Sequence, residues 1–388
     1  MTDDLFASAP LPIAPLGDEE RLACLRLIRS EQVGPVTFRN LINHFGGAQQ
    51  ALEALPELSR QGGLKRPIRI CSRRDAEHEL VAARAIGATP LFTIEPGYPR
   101  PLASLDQPPP LIYVKGRVEL LGMPAIALVG SRRCSAAGQA MARQLATRLG
   151  VEGLVIISGL ARGIDAAAHH AALESGTIAV LAGGLDRIYP PENEALHHAI
   201  ADKGCLVTER PPGFQPRGQD FPRRNRIISG VSLAVVVIEA AERSGSLITA
   251  RIAAEQGRHV YAVPGHPLDP RAHGTNRLIR SGATMVTCAD DILEDISSSF
   301  GIPMAQPPGD GGFHEPEPAR GGQPPIEISE TDRTRVQSAL GTSPVDLDEL
   351  CRSTGLNVRN VQIALLEISL AGRLEHHGHN LISLKPEM

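Results

Sequence analysis

Several stretches of this 388-residue chain place arginine, glycine and small hydroxyl residues together at spacings suited to holding an anion. The first is Val129-Gly130-Ser131-Arg132-Arg133-Cys134-Ser135, between an apolar run and an amphipathic one. Gly130 permits a tight strand-to-helix turn. Ser131 and Ser135 offer hydroxyls, and the start of the following helix offers free amides. Arg132 and Arg133 add guanidinium forks, each able to hold two phosphate oxygens. The pattern is not GxGxxG, since the next glycine is Gly138, and it is not a Walker-type phosphate loop.

The second stretch is Ser158-Gly159-Leu160-Ala161-Arg162-Gly163-Ile164-Asp165, of which Ser158, Gly159 and Arg162 are candidate site residues. A nicotinamide-binding fold wants an acidic residue near the end of this strand, to hold ribose hydroxyls. The strand ends Ile157-Ser158-Gly159 instead, which argues against that cofactor, and no cofactor is expected. Asp165 can cap the helix expected through Ala166–Ala172 or pair with Arg162, and capping is the simpler role. His169 and His170 are adjacent on that helix and face different directions, so no metal site is expected.

The third stretch runs Phe221-Pro222-Arg223-Arg224-Asn225-Arg226-Ile227-Ile228-Ser229-Gly230 and reads as a further loop. Five arginines, Arg217 among them, face one aspartate over residues 210–230. Phe221 stands beside them in a chain with only 3% aromatic residues. Arginines on the backbone and a base on an aromatic face are the usual means of holding an unpaired strand. The competing reading buries Phe221 in the core and pairs some arginines with Glu209. A fourth stretch, Ser244-Gly245-Ser246, forms a second anion nest ahead of a helix. A fifth, Gly274-Thr275-Asn276-Arg277, enters a helix with Arg277 and Arg280 on one face.

These stretches need a scaffold that brings them to one edge. Short apolar runs at Ala125–Val129, Leu154–Ile157, Ile178–Leu181, Leu206–Thr208, Leu233–Ile238 and Val260–Val263 alternate with helical segments such as Ala136–Leu149 and Ser246–Gln256. That alternation predicts an α/β class, a Rossmann-like doubly wound and mainly parallel sheet. Its ligands bind beyond the carboxyl ends of the strands. The expected division is a tail over 1–17, a helical domain over 18–90, the Rossmann-like core over 91–300, a linker over 301–329 and a winged helix over 330–388. Val33-Gly34-Pro35, followed by Phe38, Leu41 and Ile42, suits a helix-hairpin-helix unit. Seven prolines and six glycines over 301–325 mark the linker. Helices at Asp332–Leu340, Leu347–Ser353 and Val358–Ala371, then a hairpin over 373–384, describe the winged helix.

Composition narrows the function classes. The formal net charge of −4 excludes a whole-chain electrostatic grip on nucleic acid, so any such binding comes from local clusters. Six dispersed cysteines without a CxxC pair suit a reducing cytoplasm. The acidic start, Met-Thr-Asp-Asp, does not read as a signal peptide. The apolar run Leu233–Ile238 is far too short to span a bilayer.

Taken in order, these loops resemble the DNA-processing protein A (DprA/Smf) family. The resemblance runs through GSRR at 130–133, SGLARGID at 158–165, GGLDRIYPPEN at 183–193, FPRRNRIISG at 221–230, RSGSLITA at 243–250 and AVPG…GTNRLIRSGA at 262–283. It implies a homodimer that binds and protects single-stranded DNA and loads a RecA-type recombinase in natural transformation. It places phosphates at Gly130, Ser131, Arg132, Ser244, Gly245 and Ser246, and DNA along Phe221, Arg223, Asn225 and Arg226. Some relatives carry a lysine three residues before the phenylalanine. Gly218 stands there in this chain, with Arg217 beside it.

The alternative is an enzyme of related fold, a nucleotide glycosidic-bond hydrolase. It needs a carboxylate aimed into the glycine-rich pocket. Glu239 and Asp186 are the available acids, but no acid–base pair, nucleophile with its base or metal cluster is evident, so no catalytic residue is assigned. In the C-terminal segment, six basic residues face seven acidic ones over 331–388. That balance favours a protein contact or a weak auxiliary role over duplex reading for the winged helix.

Overall fold

The computed structural model describes residues 16–64, 66–300, 328–341, 344–377 and 381–385. Nearly all of the expected tail and linker therefore lies outside the described residues. The elements run α1 (Asp18–Arg29), α2 (Pro35–Phe45), α3 (Ala48–Gln61), α4 (Arg73–Ala85), β1 (Thr89–Phe92), α5 (Arg100–Ala103) and β2 (Leu111–Gly116). Next come β3 (Ala125–Gly130), α6 (Ala136–Val151), β4 (Val155–Ser158), α7 (Ile164–Ala171), β5 (Thr177–Val180), α8 (Glu194–Lys203), β6 (Cys205–Thr208) and α9 (Asp220–Val231). The core closes with β7 (Ala234–Ile238), α10 (Gly245–Glu255), β8 (His259–Ala262), α11 (His273–Arg280), β9 (Thr284–Met285) and α12 (Ala289–Phe300). Beyond it lie α13 (Glu330–Ala339), α14 (Leu347–Thr354), α15 (Val358–Leu370), β10 (Leu374–His376) and β11 (Ile382–Leu384).

Nine strands form one sheet in the order β1-β2-β6-β5-β4-β3-β7-β8-β9. From β6 to β9 every neighbour is parallel. The strands β1 and β2 extend the sheet antiparallel at one edge. All six expected strands are present within a residue or two, and the fold class is the expected one. β1, β2 and β9 were not foreseen. β9 is two exposed residues long, and an element that short has no periodicity to read.

The apolar runs are continuous because the parallel strands are covered on both faces. Along β3, Ala125, Ala127 and Val129 enter one core while Ile126 and Leu128 enter the other. Ile227, Ile228 and Val231 of α9, with Ala250 and Ala253 of α10, cover the first face. Residues of α6, α7 and α12 cover the second. Gly130 ends β3 in a place with no room for a side chain, since a Cβ there would lie 1.9 Å from the Ile238 carbonyl oxygen. This close approach lets β3 and β7 lie side by side where the strand order reverses.

The helical N-terminal segment and the winged helix form the other compact unit. Gly34 precedes Pro35 at the first turn of α2, and Gly46 ends that helix in the left-handed conformation. Phe38 and Leu41 are buried, as the helix-hairpin-helix reading requires. α15 packs against α2 and α3 as well as α13 and α14. Arg333 joins Glu367 at 2.8 Å and Gln61 at 3.0 Å.

Within the core, His169 is fully buried. Thr177 Oγ1 donates to the Ile156 carbonyl at 2.8 Å, so its lone pairs accept from His169 Nδ1 at 2.7 Å. Nδ1 of the imidazole therefore carries a proton. Burial brings the imidazole pKa down to about 3. The unfolded chain titrates near ~6.5, so it binds the extra proton first as pH falls. Stability from this residue is complete above that value and is lost on acidification toward about pH 3. Denaturant unfolding from neutral to acid pH checks this. A His169→Gln variant is expected to show a shallower acid-side loss than the unchanged chain.

Candidate nucleic-acid interface

The expected site residues arrive at the carboxyl edge of the sheet from four directions. Arg132 comes from the turn after β3, and Gly159, Ala161 and Arg162 from the turn after β4. Tyr189 and Pro190 come from the segment after β5, and Phe221 and Arg224 from the first turns of α9. Together these eight residues line one pocket. Phe221 is half-buried, with its ring centroid 5.2 Å from that of Tyr189 at an interplanar angle of 53°. The Arg132 guanidinium carbon lies 5.6 Å from the Phe221 ring centre, within cation–π range. Tyr189 is 48% exposed, and Arg132 and Arg162 are also exposed. The pocket thus has two adjacent aromatic faces with guanidinium groups at its margin.

Tyr189 was missed from the sequence. Its signal was present in Ile188-Tyr189-Pro190-Pro191, because only four tyrosines occur in the chain and this one sits in a loop after a strand. Nothing local tied it to Phe221, 32 positions later.

The segment 221–230, expected as a loop, is instead the helix α9. Arg224, Ile227, Ile228 and Val231 recur at helical spacing and are buried together. Arg224 is therefore directed inward. It is 6% exposed and donates to the carbonyls of Gly159, at 2.8 Å, and Val180. Asn225 is also buried, its Oδ1 accepting from Arg224 Nε at 3.3 Å. Burial lowers the Arg224 pKa to about 10, which leaves the group charged at neutral pH.

Asp165 does not cap a helix. It lies inside α7, whose N-cap is Gly163, with a φ of +79°. The buried Asp165 carboxylate accepts from the amides of Gly159, at 3.1 Å, and Ala161, at 3.3 Å. Burial pushes its pKa up, against the pull of Arg224. Gly159 is thus held from both sides, its amide by a carboxylate and its carbonyl by a guanidinium. A Cβ at Gly159 would meet that guanidinium at 2.7 Å.

The remaining expected residues serve the frame or lie apart from the pocket. The Ser158 hydroxyl is buried and donates to the Leu128 carbonyl at 2.6 Å. Ser135 caps α6, accepting from Gly138 N at 2.9 Å. Its own amide donates to Glu239 at 2.8 Å. The start of α6 is therefore not the open cradle that the sequence suggested. Arg223 and Arg226 both pair with Glu209, the former at 2.9 Å, so the electropositive cluster is partly neutralised. Arg226 also donates to the Gln107 carbonyl at 3.0 Å. Arg133 and Arg217 are exposed outside the pocket lining. Ser131 Oγ accepts from the Arg133 amide at 3.1 Å, stiffening the turn. Ser244 caps α10, with Gly245 and Ser246 opening that helix beyond β7. Asn276 clasps Gly265 through both amide atoms, at 2.9 and 3.2 Å.

Removing the Asp165 carboxylate strips two loop amides of their acceptor and leaves the buried Arg224 uncompensated. Asp165→Ala is expected to cost about 1–3 kcal/mol for each buried group left without its partner. Chemical denaturation measures this directly.

Comparison with known proteins places this geometry. Residues 89–297 match the family described as DNA recombination-mediator protein A. Residues 18–82 match a DprA-like N-terminal HHH domain, and residues 317–380 match a DprA winged helix domain. Protein Smf of Synechocystis is 33% identical over 96% of this chain and 99% of its own length. DNA processing protein DprA of Streptococcus pneumoniae is 46% identical over 53% of this chain and 74% of its own. An X-ray structure of the S. pneumoniae protein superposes with a TM-score of 0.61 at 34% identity, over 73% of this chain and 99% of that one. A structure of DNA processing protein A from Helicobacter pylori, concerned with its single-stranded DNA binding mode, superposes at 0.51 with 29% identity, over 54% of this chain and 96% of that one. With its core, its N-terminal helices and its winged helix all matched, this chain belongs to the DprA/Smf family of DNA-processing proteins.

Proposed function

We propose that this protein binds single-stranded DNA without reading its sequence and without making or breaking a bond. The observation that carries this reading is the pairing of Tyr189 with Phe221 at 5.2 Å, with Arg132 against the second ring. In this reading a base stacks on an aromatic face while Arg132 and Arg162 take phosphates on either side. Every base has a π-face, so such a seat tolerates any sequence. A duplex keeps its bases stacked inside and cannot offer one. The H. pylori relative, studied for its single-stranded DNA binding mode, supports the same assignment. Arg224 contributes positive charge from beneath the pocket, and its hydrogen bonds to the frame fix its place.

Beyond DNA binding, the reading follows the family. The protein acts in the cytoplasm as a homodimer, protects incoming single strands and loads a RecA-type recombinase in natural transformation. Recombinase filament formation on strands already coated by a single-strand-binding protein tests this step. The protein is expected to accelerate it, and no acceleration would remove the loading role.

Fluorescence anisotropy with matched single- and double-stranded oligonucleotides tests the binding mode. Affinity is expected to favour single strands and to fall steeply with salt as counterions are released. Arg132→Ala is expected to reduce the salt slope by about one contact. Phe221→Ala and Tyr189→Ala are each expected to cost ~1–3 kcal/mol with the slope almost unchanged. Equal affinity for duplex and single strand would overturn the reading. Unchanged affinity in both aromatic variants would move the base contact elsewhere.

A further inference from the structure

The two rings of the pocket belong to segments far apart in the chain, and both segments are fastened to the same turn. That turn, over residues 159–162, follows β4. On one side Arg224, three residues after Phe221, donates to the Gly159 carbonyl at 2.8 Å. On the other side Asn193, four residues after Tyr189, donates from Nδ2 to the Leu160 carbonyl at 2.9 Å. The Asp165 carboxylate takes the Gly159 and Ala161 amides. Leu160 is fully buried and Asn193 is 8% exposed, so the bond between them is shielded from water.

Asn193 is not spent on its own helix. It occupies the N-cap position of α8, where an asparagine side chain ordinarily accepts from the helix amides. Among the described residues it makes no such bond, and its amide group is turned across to the neighbouring turn. Its backbone amide donates to the Pro190 carbonyl at 3.1 Å, closing a single 3-10 turn over Pro191–Asn193. The side-chain anchor is thus joined to Tyr189 through a short closed turn. The Tyr189 ring is 48% exposed, so burial does not hold it and its backbone sets its place. Arg162 and Glu192 span the same two segments at 3.3 Å, but both are exposed, and such pairs hold geometry weakly.

We propose that Asn193 is a positioning residue for the base seat: its hydrogen bond to Leu160 sets the Tyr189 ring opposite Phe221. The turn after β4 is then a common reference for the two rings, with Arg224 fixing one and Asn193 the other. Asn193 does not line the pocket, so it acts through Tyr189 and not by touching DNA. Its effect on affinity rests on the single-stranded DNA reading, whereas its effect on the ring rests on geometry alone.

Asn193→Leu keeps the branched shape and removes the donor. With protonated tyrosine and phenylalanine rings on a deuterated background, the unchanged chain without DNA is expected to show a nuclear Overhauser contact between Tyr189 and Phe221. Folded Asn193→Leu is expected to lose it. Its single-strand affinity by anisotropy is expected to be at least about fivefold weaker, the lower end of what a stacked base is worth, with the salt slope unchanged. Tyr189→Ala combined with Asn193→Leu is expected to bind within about twofold of Tyr189→Ala alone, since one ring cannot be lost twice. A merely structural role for Asn193 predicts that the two losses add. Additive losses, or an unchanged Overhauser contact in folded Asn193→Leu, would overturn the proposal. If Tyr189→Ala binds normally, the base seat falls, and the Overhauser contact decides the placement of the ring by itself. Should Asn193→Leu fail to fold, Asn193→Ala is read in the same way.

Discussion

The buried guanidinium of Arg224 joins two strand ends and two helices. From α9 it donates to the carbonyls that follow β4 and end β5, and its charge is answered by Asp165 in α7. Taking a guanidinium out of water carries a large desolvation cost, so this group is stable only where acceptors and a counter-charge surround it. The need to satisfy it locks α9 in register against the sheet. That register sets the direction of Phe221, three residues earlier and nearly one helical turn away. Phe221 in turn meets Tyr189 and Arg132. The exposed chemistry of the pocket thus rests on a buried electrostatic clasp beneath it.

The carboxyl edge of the sheet uses internal charges throughout. Asp165 holds the turn after β4, Glu239 holds the start of α6, and Glu209 holds Arg223 and Arg226. Asp220 takes Arg210 in the same region. A carboxylate close to arginines lowers the local positive potential but fixes where the guanidinium groups stand. Arg132 and Arg162 remain exposed at the pocket, the latter with only a long surface contact to Glu192 at 3.3 Å. Surface pairs of that kind are worth little and yield readily to a phosphate. This distribution reconciles a net charge of −4 with a family of DNA-processing proteins.

The winged helix illustrates the same economy of surface. Its third helix, α15, packs against α2 and α3. Arg333 bonds both Glu367 of α15 and Gln61 of α3, and Thr37 lies 3.3 Å from Ser369 through their hydroxyls. The third helix is thus largely committed to packing within its own compact unit.

Much of this was determined by the sequence alone. Apolar runs of three to six residues, separated by amphipathic stretches, have few stable arrangements other than a covered parallel sheet. The six strands, the turns after them and the winged-helix pattern were legible because burial imposes a local period on the residues. What the tertiary structure decided were matters between distant residues. Arg224 and Arg223 are adjacent and identical in type, yet one is buried and the other exposed, because helical phase against the sheet separates them. Asp165 read as a helix cap until the fold brought the Gly159 and Ala161 amides to it. Tyr189 gained a role only when β5 and α9 met, and Glu239 only when β7 came to lie beside β3. A local pattern reports which face of an element is buried. Which partner waits there depends on the order of the strands, and that is settled by packing of the whole sheet.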